Sequence, residues 1–317
     1  MKARDTKENP DQRSFSIRRQ DVKKSGRDVD KRFLMSNISD SELTETHCPV
    51  CGHEQRKFMF TCRDYPVWRC GGCDHIYVSP VPSEAVLADY YATGYLPETE
   101  DEKIWEARLY RVYNAAAKAI AEFMPQRGDL LDVGAGFGGF LERAAKNGWR
   151  LWGVEPSESA FLACKKRFRE RAQLQQASFE SARFAPASID CIIMLNVIEH
   201  LRDPLRTCKR AFEILRPGGC LALRWPQNSF SKKLAAPAHL HVFTRYSMET
   251  LFHNAGFTEV RECWADTQDY RYYGLKKYLP ATILRCVARA FLACTLGKRQ
   301  IPFVTRLTLG RKPRQTT

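Results

Sequence analysis

Apolar positions along this chain fall into two kinds of stretch. Short continuous runs (130–133, 151–154, 191–195) alternate with segments of period 3.6 (104–124, 140–145, 158–171, 205–214). Continuous runs are the mark of strands buried on both faces, and the 3.6 period marks helices that cover them. In the helix over 104–124, Ile104, Leu109, Val112, Ala116, Ile120 and Phe123 share one face, and Pro125 and Gly128 end it. Further short strands are predicted within 174–184, after the turn Arg216–Gly219, over 258–264 and over 303–310. The alternation predicts an α/β fold.

The strand Leu130, Leu131, Val133 runs directly into Gly134-Ala135-Gly136-Phe137-Gly138, and a helix begins at Phe140. Strand, glycine turn and helix form a nucleotide-binding unit, in which glycines let the backbone approach a ligand closely. Glu155, at the end of the next apolar run, is placed to accept from ribose hydroxyls. Residues 134, 136 and 139 satisfy G-x-G-x-x-G, so NAD is one candidate. Asp132 points elsewhere, because a carboxylate two residues before the first glycine suits an ammonium and a sulfonium better than a pyrophosphate. Beyond the central run 191–195 come Asn196, Glu199 and His200, at the carboxyl end of a strand where ligands of such sheets bind.

Asp132–Gly138 resembles motif I of the class I S-adenosylmethionine (SAM) dependent methyltransferases (type 11/23-like). Glu199-His200-Leu201 with Asp203-Pro204, and Leu215-Arg216-Pro217-Gly218-Gly219 before a strand, are similar to later segments of the same family. The resemblance implies a Rossmann-like seven-stranded sheet, last strand antiparallel, flanked by helices. It implies SAM as cofactor, held by Asp132, Gly134, Ala135, Gly136, Gly138, Glu155 and Asn196. The family's adenine-contacting loop aligns with Ser178 and Phe179, where an Asp is usual. His200, His239 and His241 are the candidate general bases; orienting or satisfied loop histidines are the alternative reading of all three. Tyr90, Tyr91 and Tyr95 either close over the ligand or pack between domains.

Cys48 and Cys51, then Cys70 and Cys73, form two C-x2-C pairs. Four thiolates make a closed tetrahedral shell suited to structural Zn²⁺, with a redox dithiol as the alternative. Short strands at Lys57–Phe60 and Ile76–Val78 favour a small N-terminal zinc ribbon, of a kind seen as an extension in many bacterial family members. Losing its metal is expected to destabilise the N-terminal module and to leave the glycine-turn pocket intact.

The division expected is a disordered tail (1–43), the ribbon (44–80), a linker with helices (81–125), the SAM-binding domain (126–264 and 302–312) and a basic amphipathic helical insertion (265–301). Twelve cysteines without an apolar leader point to a reducing cytoplasm. The net charge of +14 is concentrated at the end, where residues 261–317 hold 12 Lys and Arg against 3 Asp and Glu. Residues 276–299 could lie on the inner membrane surface, or pack on the domain or on a second subunit. The acceptor expected is a small molecule, sugar or lipid-linked compound, methylated on oxygen or carbon. The alternatives are an rRNA methyltransferase, against which stands the lack of an RNA-binding aromatic motif, and a SAM-binding protein without turnover. Oligomeric state is not legible.

Overall fold

The computed structural model describes residues 37–62, 64–93, 102–226, 239–264 and 305–314. Most of the predicted tail, Tyr95, the side chain of Ile104 and the whole 265–301 insertion, with its candidate membrane contact, lie outside the described residues. The elements in order are β1 (Leu43–Thr44), β2 (Arg56–Cys62), β3 (Tyr65–Cys70), β4 (Ile76–Val78), β5 (Val81–Pro82), α1 (Glu84–Thr93), α2 (Glu102–Phe123), β6 (Asp129–Val133), α3 (Gly139–Lys146), β7 (Arg150–Val154) and α4 (Glu158–Phe168). Then follow β8 (Ala172–Gln175), β9 (Ile189–Leu195), α5 (Pro204–Ile214), β10 (Leu215–Pro226), β11 (His241–Val242), α6 (Arg245–Asn254), β12 (Thr258–Trp264) and β13 (Thr305–Arg311).

Seven strands form one sheet in the order β12-β13-β10-β9-β6-β7-β8. The pairs β10–β9, β9–β6, β6–β7 and β7–β8 are parallel, and β13 runs antiparallel to both β10 and β12. β9 lies centrally, and its residues Cys191–Met194 are fully buried, as a strand covered on both faces requires. The order reverses between β6 and β9, so the carboxyl ends of these strands open the crevice where ligands of such sheets sit. The predicted turn at Arg216–Gly219 is a bulge inside β10, whose register against β9 shifts between Leu215 and Cys220. Among the described residues, no helix is long and apolar enough to cross a membrane.

The N-terminal part is larger than predicted. Asp40–Glu42 form a 3-10 turn, and Leu43–Thr44 pair with Val81–Pro82, so residues 37–43 are structured. β3, unanticipated from the sequence, pairs with β2 and β4. β4 in turn pairs with β11 from the methyltransferase-like half (His241 opposite Tyr77, Val242 opposite Ile76). Cys48, Val50, Cys70, Cys73 and Tyr77 share one apolar cluster with Leu131, Val133, Trp225, Phe243 and Met248. A three-stranded piece this small cannot bury its own apolar surface and borrows the core of the large sheet.

At the opposite end of the sheet, Asp129 accepts from Arg150 Nε and Nη2 (2.9 and 2.8 Å), Trp152 Nε1 (3.2 Å) and Arg216 Nη1 (3.0 Å). The Arg150 bonds, helped by Trp152 and Arg216, hold its carboxyl down at about 2 against the burial that would raise it. A depressed acid stabilises the fold above its unfolded value near 4 and loses that contribution as pH falls towards 2. Asp129→Asn is expected to cost about 1–2 kcal/mol at neutral pH, a figure discounted because Arg150 is 69% exposed. Denaturant melts from about pH 7 to pH 2 should show a flatter acid limb for the variant; an unchanged limb would show that the cluster contributes nothing.

Candidate active site and metal centre

A cavity of about 1100 Å³ opens at the carboxyl ends of β6, β7 and β9. Its lining includes Asp132, Gly134, Ala135, Gly136, Glu155, Ser178, Phe179, Asn196 and His200. Nine of the twelve residues predicted for cofactor binding and catalysis thus meet in one place, and Gly138, His239 and His241 do not line it.

The turn after β6 adopts left-handed backbone at Gly134 (φ 73°), Gly136 (φ 53°) and Gly138 (φ 83°). A Cβ on Gly136 would meet nothing within 4 Å, whereas one on Gly138 would strike Phe168 at 2.5 Å and Cys164 at 2.9 Å. Gly138 is therefore a packing glycine at the start of α3, and Gly136 is an open cradle. Glu155 ties the cradle down: Gly136 N donates to its Oε2 (2.8 Å) and Ser157 N to its Oε1 (2.9 Å). Each oxygen keeps a further acceptor position for a hydroxyl. Burial raises the Glu155 carboxyl, opposed by those two amides. Asp132 is raised well above the carboxylate range, first by burial and then by the neighbouring Glu155. Two buried acids at one end of a cavity make it receptive to a cation.

Ser178 sits in the loop after β8, its hydroxyl accepting from Ser181 N (3.2 Å). Phe179 is 3% exposed, packed into the core with the Arg210 guanidinium 5.5 Å from its ring centre, so it walls the cavity and offers no free face. Asn196 holds a positive φ of 58°, which lets β9 turn sharply into the 3-10 turn Ile198–His200. Its side-chain oxygen accepts from Arg224.

His200 borders the cavity and is 6% exposed. Tyr91 on α1 also lines the cavity and donates to His200 O (3.2 Å). His239 lies behind His200, ring centres 4.6 Å apart at 80°. Glu199 is 1% exposed, and burial pushes its carboxyl up to about 7. His241 is a correction. Its Nε2 meets Leu201 O at 2.7 Å and its Nδ1 meets His75 Nε2 at 3.2 Å. Burial holds it down at about 4. With both nitrogens engaged away from the cavity it joins the ribbon to the sheet and takes no proton from a bound acceptor.

Two parts of the lining were not foreseen. Leu109, Val112 and Tyr113 of α2 wall the cavity, although their spacing reads simply as a core face. Thr46, His47, Cys48 and Pro49 of the ribbon wall it as well; no local pattern announces a contact made across 80 residues of chain.

The four cysteine sulfurs lie within 4.8 Å of one another, with Cys48–Cys73 and Cys51–Cys70 each at 3.5 Å. That is too long for a disulfide and close to the roughly 3.8 Å edge of a tetrahedron of thiolates about a zinc-sized ion. Gly72 N and Cys73 N point at Cys70 Sγ (3.3 and 3.5 Å). The cluster could coordinate a metal, and with four sulfurs it leaves no open position for substrate.

A family model described as a methyltransferase domain matches residues 105–262. A probable S-adenosylmethionine-dependent methyltransferase of Mycobacterium tuberculosis is 26% identical over 205 residues, covering 62% of this chain and 72% of the relative. Dimethylglycine N-methyltransferase of Parasynechococcus marenigrum is 31% identical over 139 residues, 40% of this chain and 47% of that one. Among solved structures, Haemonchus contortus phosphoethanolamine N-methyltransferase 2 superposes with a TM-score of 0.54 at 16% identity, covering 75% of this chain and 63% of that chain. Geranyl diphosphate C-methyltransferase of Streptomyces coelicolor does so at 0.50 and 17%, over 70% and 87%.

Proposed function

Since residues 105–262 make this chain a class I SAM-dependent methyltransferase, we propose that it methylates an oxygen or carbon of a sugar or lipid-linked small molecule at the His200 end of the cavity. The observation that carries this is a single cavity lined by the glycine cradle and two buried acids together with His200 and Tyr91. About 1100 Å³ exceeds the roughly 300–1,000 Å³ usual for one drug-sized ligand, which leaves room for donor and acceptor together. The relatives named for dimethylglycine, phosphoethanolamine and geranyl diphosphate act on small molecules, which supports that class of acceptor.

SAM supplies a methyl group already activated on a sulfonium. The chain's own task is to orient the partners and receive the acceptor's proton. Gly134, Ala135 and Gly136 leave room for close backbone approach, Glu155 offers its remaining acceptor positions to the ribose, and Asp132 with Asn196 faces the cationic end. Ser178 borders the adenine side. Leu109, Val112 and Tyr113 shield the cavity from water. His200 borders the place the acceptor takes in the cavity. The four cysteines hold a structural Zn²⁺ that shapes the wall at Thr46–Pro49, and their reduced state suits a cytoplasmic protein.

His200→Ala is expected to lower kcat for methyl transfer by about 100-fold or more while SAM affinity stays within about threefold. Mass spectrometry of extract fractions incubated with labelled SAM finds the acceptor, and steady-state kinetics with calorimetry then separates the two effects. Full turnover in the variant would move the acceptor end away from His200.

A further inference from the structure

We propose that Glu199, His200 and His239 bind a divalent metal ion at the acceptor end of the cavity, distinct from the four-cysteine centre. Its binding stands on the geometry below; what it does there rests on the reading of this cavity as the methyl-transfer site.

The three side chains come from two segments that the fold draws together. Left-handed backbone at Asn196 starts the 3-10 turn that carries Glu199 and His200. Leu240 N then donates to Glu199 O (2.9 Å), which anchors the neighbouring His239 against that turn. One donor atom from each side chain lies within 4.8 Å of the other two, and Glu199 Oε1 is 4.0 Å from His200 Nε2. Bonds of about 2.0–2.2 Å to nitrogen and oxygen require donor separations of roughly 3–4 Å, so a slight inward adjustment completes the shell.

A second observation points to a ligand. Glu199 is 1% exposed, and its Oε2 has no hydrogen-bond partner among the described residues. Buried carboxylate oxygens are almost always satisfied, and one that is not calls for an ion or water. Arg224 is near enough for its charge to favour the ionised Glu199 carboxylate, and its Nη1 donates to Asn196 Oδ1. Two imidazoles and one carboxylate suit a first-row divalent ion such as Zn²⁺, Mn²⁺, Fe²⁺ or Co²⁺ and leave coordination positions open. Because His200 itself borders the cavity, an open position is accessible to an oxygen of the acceptor, which the ion would hold in place.

The test is cobalt titration of the metal-depleted full-length protein. Cobalt in the four-cysteine centre gives intense thiolate charge-transfer bands, and cobalt on nitrogen and oxygen gives only weak visible bands. The wild type is expected to take two equivalents, one of each kind. His239→Ala should take one, with the thiolate bands unchanged, and Glu199→Gln should bind the second equivalent at least tenfold more weakly. The unchanged thiolate bands report that each variant has folded; should one variant lose them, the other decides. A wild type that takes only the thiolate-bound equivalent overturns the proposal, as does a folded His239→Ala protein that still takes both. SAM titration in parallel separates the two readings: a second equivalent without SAM binding would sink the methyl-transfer reading and leave the metal site standing.

Discussion

Gly136→Val is expected to weaken SAM binding by about 100-fold or more, equivalent to roughly 3 kcal/mol, while the protein remains folded. The residue sits at φ 53°, where a β-branched side chain is strained by about 1–3 kcal/mol. Nothing in the protein lies within 4 Å of the Cβ it would gain, so the added atoms meet no wall and project into the space a ligand needs. The same change also disturbs the amide that Glu155 accepts at 2.8 Å, and with it the orientation of the carboxylate assigned to the ribose. Gly138→Ala is the instructive contrast: its Cβ strikes Phe168 and Cys164, so that variant should lose stability first and affinity as a consequence. Calorimetric titration with SAM, S-adenosylhomocysteine and NAD, beside a thermal melt, reads both variants. Unchanged SAM affinity in folded Gly136→Val protein would sink the cofactor assignment, and binding of NAD alone would replace it.

Cys70→Ser is expected to release the metal of the four-cysteine centre and to cost several kcal/mol of stability, with damage reaching the cavity. Structural zinc sites carry roughly 10–16 kcal/mol of apparent binding free energy in small domains, much of which is folding free energy. Cys70 is 2% exposed and packs in the cluster that also contains Leu131 and Val133 of β6. Asn254 Nδ2 of α6 donates to Val50 O (3.0 Å), a further tie between the knuckle and the sheet. Since Thr46–Pro49 line the cavity, SAM affinity should fall together with metal content. Metal analysis, a melt and a SAM titration of the variant test this. Retained metal refutes the four-cysteine site; lost metal with full SAM affinity refutes the coupling through the shared core.

Much of the candidate site was legible because its parts are local. The left-handed turn of Gly134–Gly138, the acid Glu155 at a strand end and the Asn196–His200 exit from β9 are each determined within a few residues, by φ preference, by strand length and by burial on both faces. The cysteine pairs were legible for the same reason, since a knuckle is a local turn. The α/β class followed from the alternation of runs and helices, and the seven-stranded sheet with its antiparallel last strand from the recognised motifs.

Other roles depended on which distant segments meet. His239 and His241 alternate along the chain, yet β11 turns His241 into the seam with His75 and leaves His239 beside His200. Their chemistry separates only when β4 pairs with β11. Phe179 lies in the loop that aligns with the family's adenine contact, and its burial beside Arg210 of α5 decides that it walls the cavity. The ribbon and α2 look complete in themselves, and only packing against the large sheet, each into a different apolar cluster, makes them walls of the cavity. Backbone conformation and ligand-turn geometry are short-range properties written in consecutive residues. Burial and the identity of a pocket's far wall arise from long-range packing, in which apolar faces of similar pattern have many partners they could cover and the assembled core selects one.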